Sequence, residues 1–384
     1  MMKIHMVDTI GQYQQIQSEI DAAVLDVVRS GAYINGPAVK RFQAHLATFM
    51  DVPHVIPCAN GTDALQVAFM ALGLEPGDEV ITPSFTYIAT VEVLALLRLK
   101  PVFVEVDPET FNMDPASIEA KITDRTRAIL PVHLYGQAAD MPAIMSIAET
   151  YGLYVVEDTA QAIGAMSSLA DGTPARAGTV GHIGTTSFYP SKNLGAFGDG
   201  GAIFTRDADL AERLWSICNH GSHTRYYHDR VGVNSRLDAV QAAILDVKLQ
   251  RLDAYNEARR EAARTYDRLF AGVEGVRTPA WKDDGSHVFH QYTLRLAAGR
   301  ETRDHLQAQL GAEGIPSMIY YPVPIHLQQG YTDYGYQSGD LPLTENLTAE
   351  VISLPMHTEL DETQQVYIVD HVKRILRTFS TITP

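Results

Sequence analysis

Cysteine is nearly absent from this chain. Cys58 and Cys218 are the only two in 384 residues, too few for a disulfide framework or a cysteine-rich zinc site. Basic residues are also in deficit: 30 lysines and arginines face 46 acids, a formal net charge of −16. Broad nucleic-acid binding needs a basic surface to displace counterions, so the balance weighs against it and no nucleic-acid partner is expected. The balance still leaves room for a small anion held by a few local bases. No apolar run approaches membrane-spanning length, and the amino-terminal MMKIHMVDTIGQYQQ lacks the apolar centre of a secretion signal. The expected compartment is the cytoplasm, without membrane contact. The histidines show no ligand spacing such as His-Glu-x-x-His, so no metal is expected.

What is present is a long alternation of short apolar runs and helix-length segments. The run QQIQSEIDAAVLDVVRSG places Ile16, Ile20, Ala23, Val24, Val27 and Val28 on one helical face. EVITP, PVFVEVD, AILPVHLYG and YVVEDTAQ are rich in Val and Ile, and between them lie ATVEVLALLRL, DPASIEAKI and DMPAIMSIAETYG. That pattern predicts βα units around a mostly parallel sheet whose strands are buried on both faces. After the charged helical stretch LQRLDAYNEARREAARTYDRLFAGV the texture changes, with a strand-like HVFHQYTLRL followed by helical segments. The expectation is an α/β chain of two domains. Residues 1–250, including the amino-terminal segment, form a large domain, and residues 251–384 a smaller α+β one.

Three stretches can carry chemistry. In CANGTDALQ, Gly61 and Thr62 open a helix whose free N–H groups and positive dipole end suit a phosphate. A plain helix start with Thr62 or Asp63 as N-cap fits the same residues. In YVVEDTAQ, Asp158 follows a buried strand, where open α/β sheets carry ligand groups, though it also suits a helix cap. In TTSFYPSK, Lys192 lies five residues after Ser187, and the glycine-rich NLGAFGDGGA follows. A desolvated amine is a usable nucleophile, whereas most lysines are solvated. A phosphate cradle, a carboxylate and a nucleophilic lysine together are what pyridoxal phosphate requires.

CANGTDALQ, PSFTYIAT, EDTAQ, SFYPSKNLGAFGDGGAI, GVNSRLD and YYPVPIHLQ, in that order, resemble the DegT/DnrJ/StrS family of sugar-nucleotide aminotransferases. The resemblance runs from about residue 30 to about residue 360 and implies the fold-type-I architecture of pyridoxal-phosphate enzymes. It implies that Lys192 is the Schiff-base lysine and shuttles the substrate proton. Asp158 becomes the partner of the ring nitrogen, and Gln161 the neighbour of the ring hydroxyl. Gly61, Thr62 and Ser187 hold the phosphate, and Phe85 stacks on the ring face. Asn234 reaches the phosphate from a neighbouring subunit, which implies a homodimer with shared sites. Related sugar dehydratases carry histidine where Lys192 stands, so the lysine implies transamination.

The resemblance further implies L-glutamate as donor, leaving as 2-oxoglutarate, and a nucleotide-linked ketosugar as acceptor. It is nearest to enzymes that aminate UDP-2-acetamido-2-deoxy-3-oxo-glucuronate for surface polysaccharides, lipopolysaccharide and O-antigen among them. There, the residues matching Gly31, Tyr33, Ser191, Arg236, Tyr320 and Tyr321 line the sugar nucleotide. The chain departs from the family at Tyr320, where many relatives carry histidine. A dTDP-3-keto-6-deoxyhexose is the second expectation, since such enzymes share the style of lysine loop. A non-catalytic regulator on the same fold is the third.

Overall fold

The computed structural model of the chain describes residues 2–382. Its main sheet is built from β1 (His54–Cys58), β2 (Glu79–Pro83), β3 (Lys100–Val104), β4 (Thr126–Ile129) and β5 (Tyr154–Asp158). A small hairpin, β6 (Met166–Ser168) and β7 (Pro174–Arg176), intervenes before β8 (Ile183–Ser187) and β9 (Gly201–Thr205) complete it. The seven strands lie in the order β1-β9-β8-β5-β4-β2-β3. Only β9 runs against the others. The chain is therefore α/β with a mostly parallel central sheet, as the alternation predicted.

The sheet forms because its strands are apolar on both sides and helices cover both faces. Helix Gly61–Leu72 packs with Ile56, Val80, Val156, Ile183 and Ile203 on one face. Met141, Ile144 and Ala148, from helix Met141–Tyr151, pack with Ile81, Val104, Ile129 and Val155. At roughly 25 cal/mol per Å², such burial is the main force holding the layers together.

Beyond the sheet, β10 (Val276–Arg277), β11 (Tyr292–Leu296) and β12 (Val351–Leu354) form an antiparallel three-stranded sheet. Helices Leu252–Phe270, Gly299–Ala312 and Glu362–Ile382 pack with it around Tyr266, Tyr292, Leu306 and Ile368. Helix Leu252–Phe270 begins in one core at Leu252 and ends in the other at Phe270. Ile4 is buried in the second core, and the Met6 carbonyl accepts the Met356 N–H at 3.2 Å. The first residues therefore lie with the carboxy-terminal sheet, not with the large unit to which the sequence assigned them.

Two stretches differ from expectation in conformation. DPASIEAKI forms two short 3-10 turns, Pro115–Ser117 and Glu119–Lys121. HVFHQYTLRL becomes a strand only from Tyr292. Before it, the N–H groups of Val288 and Gln291 go to the carbonyls of Gly136 and Tyr135 on the main-sheet unit.

Candidate active site

The site lies along one edge of the main sheet, where parallel strands end together. Asp158 is the last residue of β5 and pairs with Thr185 of β8, so Ser187 ends the neighbouring strand two residues further on. Behind Asp158, the fully buried Glu157 fixes the strand end. Its carboxylate accepts N–H groups from Gly178, Val180 and Gly181 at 2.6–2.8 Å and faces His133 Nε2 at 2.9 Å. Ala139 N–H donates to His133 Nδ1, so Nε2 carries the imidazole hydrogen and donates to Glu157.

The Asp158 carboxylate is buried and accepts two hydrogen bonds. Thr90 Oγ1 donates at 2.9 Å and the Ala160 N–H at 3.1 Å. Thr90, at the start of helix Ala89–Leu96, also meets Thr86 Oγ1 at 3.1 Å. The sequence did not single out this threonine; its signal was a hydroxyl at the start of a mainly apolar helix.

Lys192 stands in the turn after β8. Among the described residues nothing hydrogen-bonds its Nζ. Burial lowers its pKa from 10.5 to about 8, with the Asp158 carboxylate pulling the other way. More of it is therefore the neutral, nucleophilic amine near neutral pH than for a solvated lysine.

The phosphate candidates meet where helix Gly61–Leu72 begins. Its N-cap is Asn60, not Thr62 or Asp63: Asn60 Oδ1 accepts the Asp63 N–H at 2.8 Å and its carbonyl accepts the Ala64 N–H. Among the described residues the N–H groups of Gly61 and Thr62 have no acceptor. A Cβ at Gly61 would stand 2.7 Å from Ser187 Cβ, and one at Gly201 would stand 2.5 Å from the Asn60 carbonyl. Glycine at both positions brings the helix start against Ser187 and leaves a concave set of donors. This cradle, the partnerless amine and the buried carboxylate fit a phosphate-bearing aldehyde with a ring nitrogen.

Gln161 links this edge to the carboxy-terminal part of the chain. Its Oε1 accepts the Tyr135 N–H at 2.7 Å, and its Nε2 donates to the Tyr321 hydroxyl at 3.0 Å. Tyr135 donates to the Tyr320 carbonyl. Burial, foremost, raises the Tyr321 phenol above its ordinary value, so it stays a neutral hydroxyl. Ser84 secures the same segment, with its Oγ 2.7 Å from His326 Nδ1.

Phe85 is a correction. It is 0% exposed and walled in by Phe111, Tyr135 and Tyr321 with ring centroids 6.2–6.4 Å away, so no face is open to a ligand. The accessible ring on that loop is Tyr87, 57% exposed and 6.2 Å from Tyr321. A wholly apolar Phe seeks the core; a Tyr two residues on keeps its polar tip in water.

The remaining candidates divide. Ser191 sits partly buried beside Lys192. Tyr33 lies beside the stretch that carries Asn234 and Arg236, and Ser235 within that stretch accepts, at 3.1 Å, the N–H of Ala59, two residues before Gly61. Gly31 caps helix Gln17–Ser30 at φ +65°, and the Tyr33 carbonyl accepts the Ala239 N–H at 2.9 Å. Asn234 is exposed, and among the described residues the Arg236 guanidinium has no partner. No hydrogen bond, ion pair or ring contact joins the side chains of these four to Lys192, Asp158 or Gln161. Exposed Val28, Ile34, Tyr226, Tyr227 and Val231 belong to the same helix and loops.

A mostly parallel α/β sheet with a buried carboxylate and a lysine without a hydrogen-bond partner at the ends of its central strands is the arrangement a cofactor-dependent aminotransferase requires. A profile of the DegT/DnrJ/EryC1/StrS aminotransferase family matches residues 14–373. A Geobacillus stearothermophilus protein named pleiotropic regulatory protein is 48% identical, covering 99% of this chain and 100% of its own. The UDP-2-acetamido-2-deoxy-3-oxo-D-glucuronate aminotransferase of Pseudomonas aeruginosa is 46% identical over 93% of this chain and 96% of its own. The dTDP-3-amino-3,4,6-trideoxy-alpha-D-glucose transaminase of Streptomyces venezuelae is 41% identical over 97% and 96%. The crystal structure of S. venezuelae DesV with a ketimine intermediate aligns with a TM-score of 0.92 at 41% identity, covering 98% of this chain and 99% of that one. The chain belongs to the DegT/DnrJ/EryC1/StrS aminotransferase family, and it is an enzyme of the pyridoxal-phosphate-dependent sugar-aminotransferase type.

Proposed function

We propose that this protein transfers the amino group of L-glutamate to C3 of a nucleotide-linked ketosugar. The proposed substrate is UDP-2-acetamido-2-deoxy-3-oxo-glucuronate, and the product feeds surface polysaccharide such as lipopolysaccharide O-antigen. The observation that carries this reading is the partnerless Lys192 amine at the same sheet edge as the buried Asp158 carboxylate. When bound, pyridoxal phosphate supplies an electron sink for the substrate carbon. Lys192 Nζ would hold the cofactor and, as an amine, would take and return the substrate proton. Asp158, fixed by Thr90, keeps a proton on the ring nitrogen. Gln161 would lie near the ring hydroxyl, and the exposed Tyr87, rather than the buried Phe85, would offer a ring face to the cofactor. The Gly61 and Thr62 N–H groups with the Ser187 hydroxyl hold the phosphate.

Asn234 completes the cradle from a second copy, so the working unit is a homodimer with shared sites. The exposed apolar side chains near Tyr33 and Asn234 support that surface as an interface. Gly31, Tyr33, Ser191, Arg236, Tyr320 and Tyr321 receive the sugar nucleotide, and the free Arg236 guanidinium suits a uronate carboxylate or a diphosphate. In this reading residues 1–250 chiefly hold the cofactor, residues 251–384 close the substrate side, and the enzyme works in the cytoplasm.

The P. aeruginosa relative supports the UDP-uronate; the S. venezuelae relative supports a dTDP-3-keto-6-deoxyhexose as runner-up. The printed name of the G. stearothermophilus relative supports a regulator that binds cofactor without turnover, against which Lys192 and Asp158 weigh. The test is to convert the enzyme to its amine form with L-glutamate and offer each ketosugar nucleotide separately. Recovery of the visible band with the UDP-uronate alone supports the proposal. Recovery with the dTDP-deoxyhexose alone moves the enzyme to the runner-up. A band that L-glutamate fails to bleach at all supports the regulator.

A further inference from the structure

A second lysine stands behind the first. Lys248, on helix Ala239–Leu249, is 2% exposed, and its ammonium donates to the Gly195 carbonyl at 2.6 Å. The ammonium also lies 5.5 Å from the centre of the Phe197 ring. Among the described residues no carboxylate pairs with it. Burial lowers its pKa to about 8, so it is still mainly a cation at neutral pH. A buried cation without a counter-ion is poor evidence for a stabilising role, because desolvation offsets much of what its hydrogen bond contributes.

What Lys248 grips is the turn that carries Lys192. That turn closes tightly on itself: a Cβ at Gly195 would stand 2.3 Å from the Pro190 carbonyl, and the Ala196 N–H reaches the Phe188 carbonyl at 2.7 Å. One flank is pinned by Asn193, whose Nδ2 donates to Asn256 Oδ1 and the Val288 carbonyl, both at 2.8 Å. The other flank is pinned from a single helix. Gln241 Oε1 accepts the Phe197 N–H at 2.8 Å, and Lys248, two turns further on and on the same face, holds Gly195.

We propose that Lys248 is a positioning residue for Lys192, acting through the Gly195 carbonyl to fix the turn from which the Lys192 side chain projects. The inference rests on the reading of Lys192 given above. Lys248→Met keeps the bulk and removes the donor, and Lys248→Arg keeps the donor. Each variant is loaded with pyridoxal phosphate, and two quantities are read. One is the pH midpoint of the visible band before any donor is added. The other is the band's bleaching rate with saturating L-glutamate, together with the glutamate concentration giving half that rate.

Displacement of the Lys192 amine predicts a midpoint shift of about one unit in Lys248→Met. It also predicts bleaching slowed on the order of 10²-fold, with half-saturation unchanged within about threefold. Lys248→Arg recovers most of the rate. A Lys248→Met protein with native midpoint and native rate overturns the proposal, as does a slowed rate that Lys248→Arg fails to recover. Should Lys248→Met not fold, Lys248→Gln replaces it under the same criteria. If the wild-type protein takes up the cofactor but is not bleached by glutamate, the functional reading fails and not this one.

Discussion

At the scale of the residue, Lys192 is a cation that the fold disfavours, and that has a measurable consequence for the cofactor-free chain. Its pKa is about 8 when folded, against 10.5 for a free side chain. Below pH 8 both states are protonated and the folded chain bears the full penalty. Between pH 8 and 10.5 the folded state releases its proton first, so stability rises with pH, and above 10.5 the penalty is gone. Lys192→Met should therefore make the cofactor-free protein more stable at pH 7 by roughly 1–3 kcal/mol, a gap that closes by about pH 11. Urea unfolding of both proteins at several pH values measures it; a variant less stable at pH 7 would contradict the assignment. Asp158→Asn is the complementary substitution, of similar shape but without the charge. It should leave cofactor uptake in place and slow bleaching by glutamate roughly 10²–10³-fold, read by stopped-flow absorbance. Lys192 and Asp158 were singled out in the sequence through the family resemblance, since a lysine in a loop and an acid after a strand each have an ordinary reading taken alone. Thr90 and Tyr87 were not, since a hydroxyl in a helix and a tyrosine in a loop are ordinary until their neighbours are known.

At the scale of the element, the cradle depends on how closely a helix start approaches a strand end. Gly61→Ala would set a methyl group 2.7 Å from Ser187 Cβ, so one element must move. The expected result is about tenfold weaker binding of pyridoxal phosphate with little change for pyridoxal lacking the phosphate, measured by fluorescence titration. Equal weakening of both ligands would place the effect outside the cradle. The buried strands β2, β4 and β5 were readable from sequence because an apolar run covered on both faces has few alternatives. The N-cap was misassigned because Asn60, Thr62 and Asp63 are all competent caps within four residues, and only the backbone path selects Asn60. DPASIEAKI forms only two 3-10 turns around Ile118, which is fully buried, a short packing that its local pattern does not distinguish from a helix. The early part of HVFHQYTLRL left the small sheet because its N–H groups found carbonyls on the main-sheet unit, a contact no local pattern encodes.

At the scale of the whole molecule, the candidate residues fall into two groups, one around Lys192 and one around Tyr33, Asn234 and Arg236. The proposed shared-site homodimer would bring Tyr33, Asn234 and Arg236 of one copy to Lys192 of the other. Complementation tests this. Lys192→Ala removes the amine and Asn234→Asp sets a carboxylate against the phosphate, so each homodimer should be inactive. Mixed dimers would contain one intact site, and a random mixture should recover about a quarter of wild-type activity. No recovery, with mixed dimers shown to form, would put both residues in a site of one chain. The change in sequence texture near residue 250 falls where helix Leu252–Phe270 passes from one core to the other. The placement of Ile4 in the carboxy-terminal core was not legible, because a single apolar residue in a polar stretch carries no address. The most direct test of the central claim, that this chain transaminates through Lys192, uses the protein's colour. Wild-type and Lys192→Ala proteins are loaded with pyridoxal phosphate, and the visible band is followed as L-glutamate is added. The account predicts that glutamate bleaches the wild-type band and yields 2-oxoglutarate, while Lys192→Ala forms neither the native band nor the product. A wild-type band indifferent to glutamate, or a Lys192→Ala protein that still turns over, would contradict it.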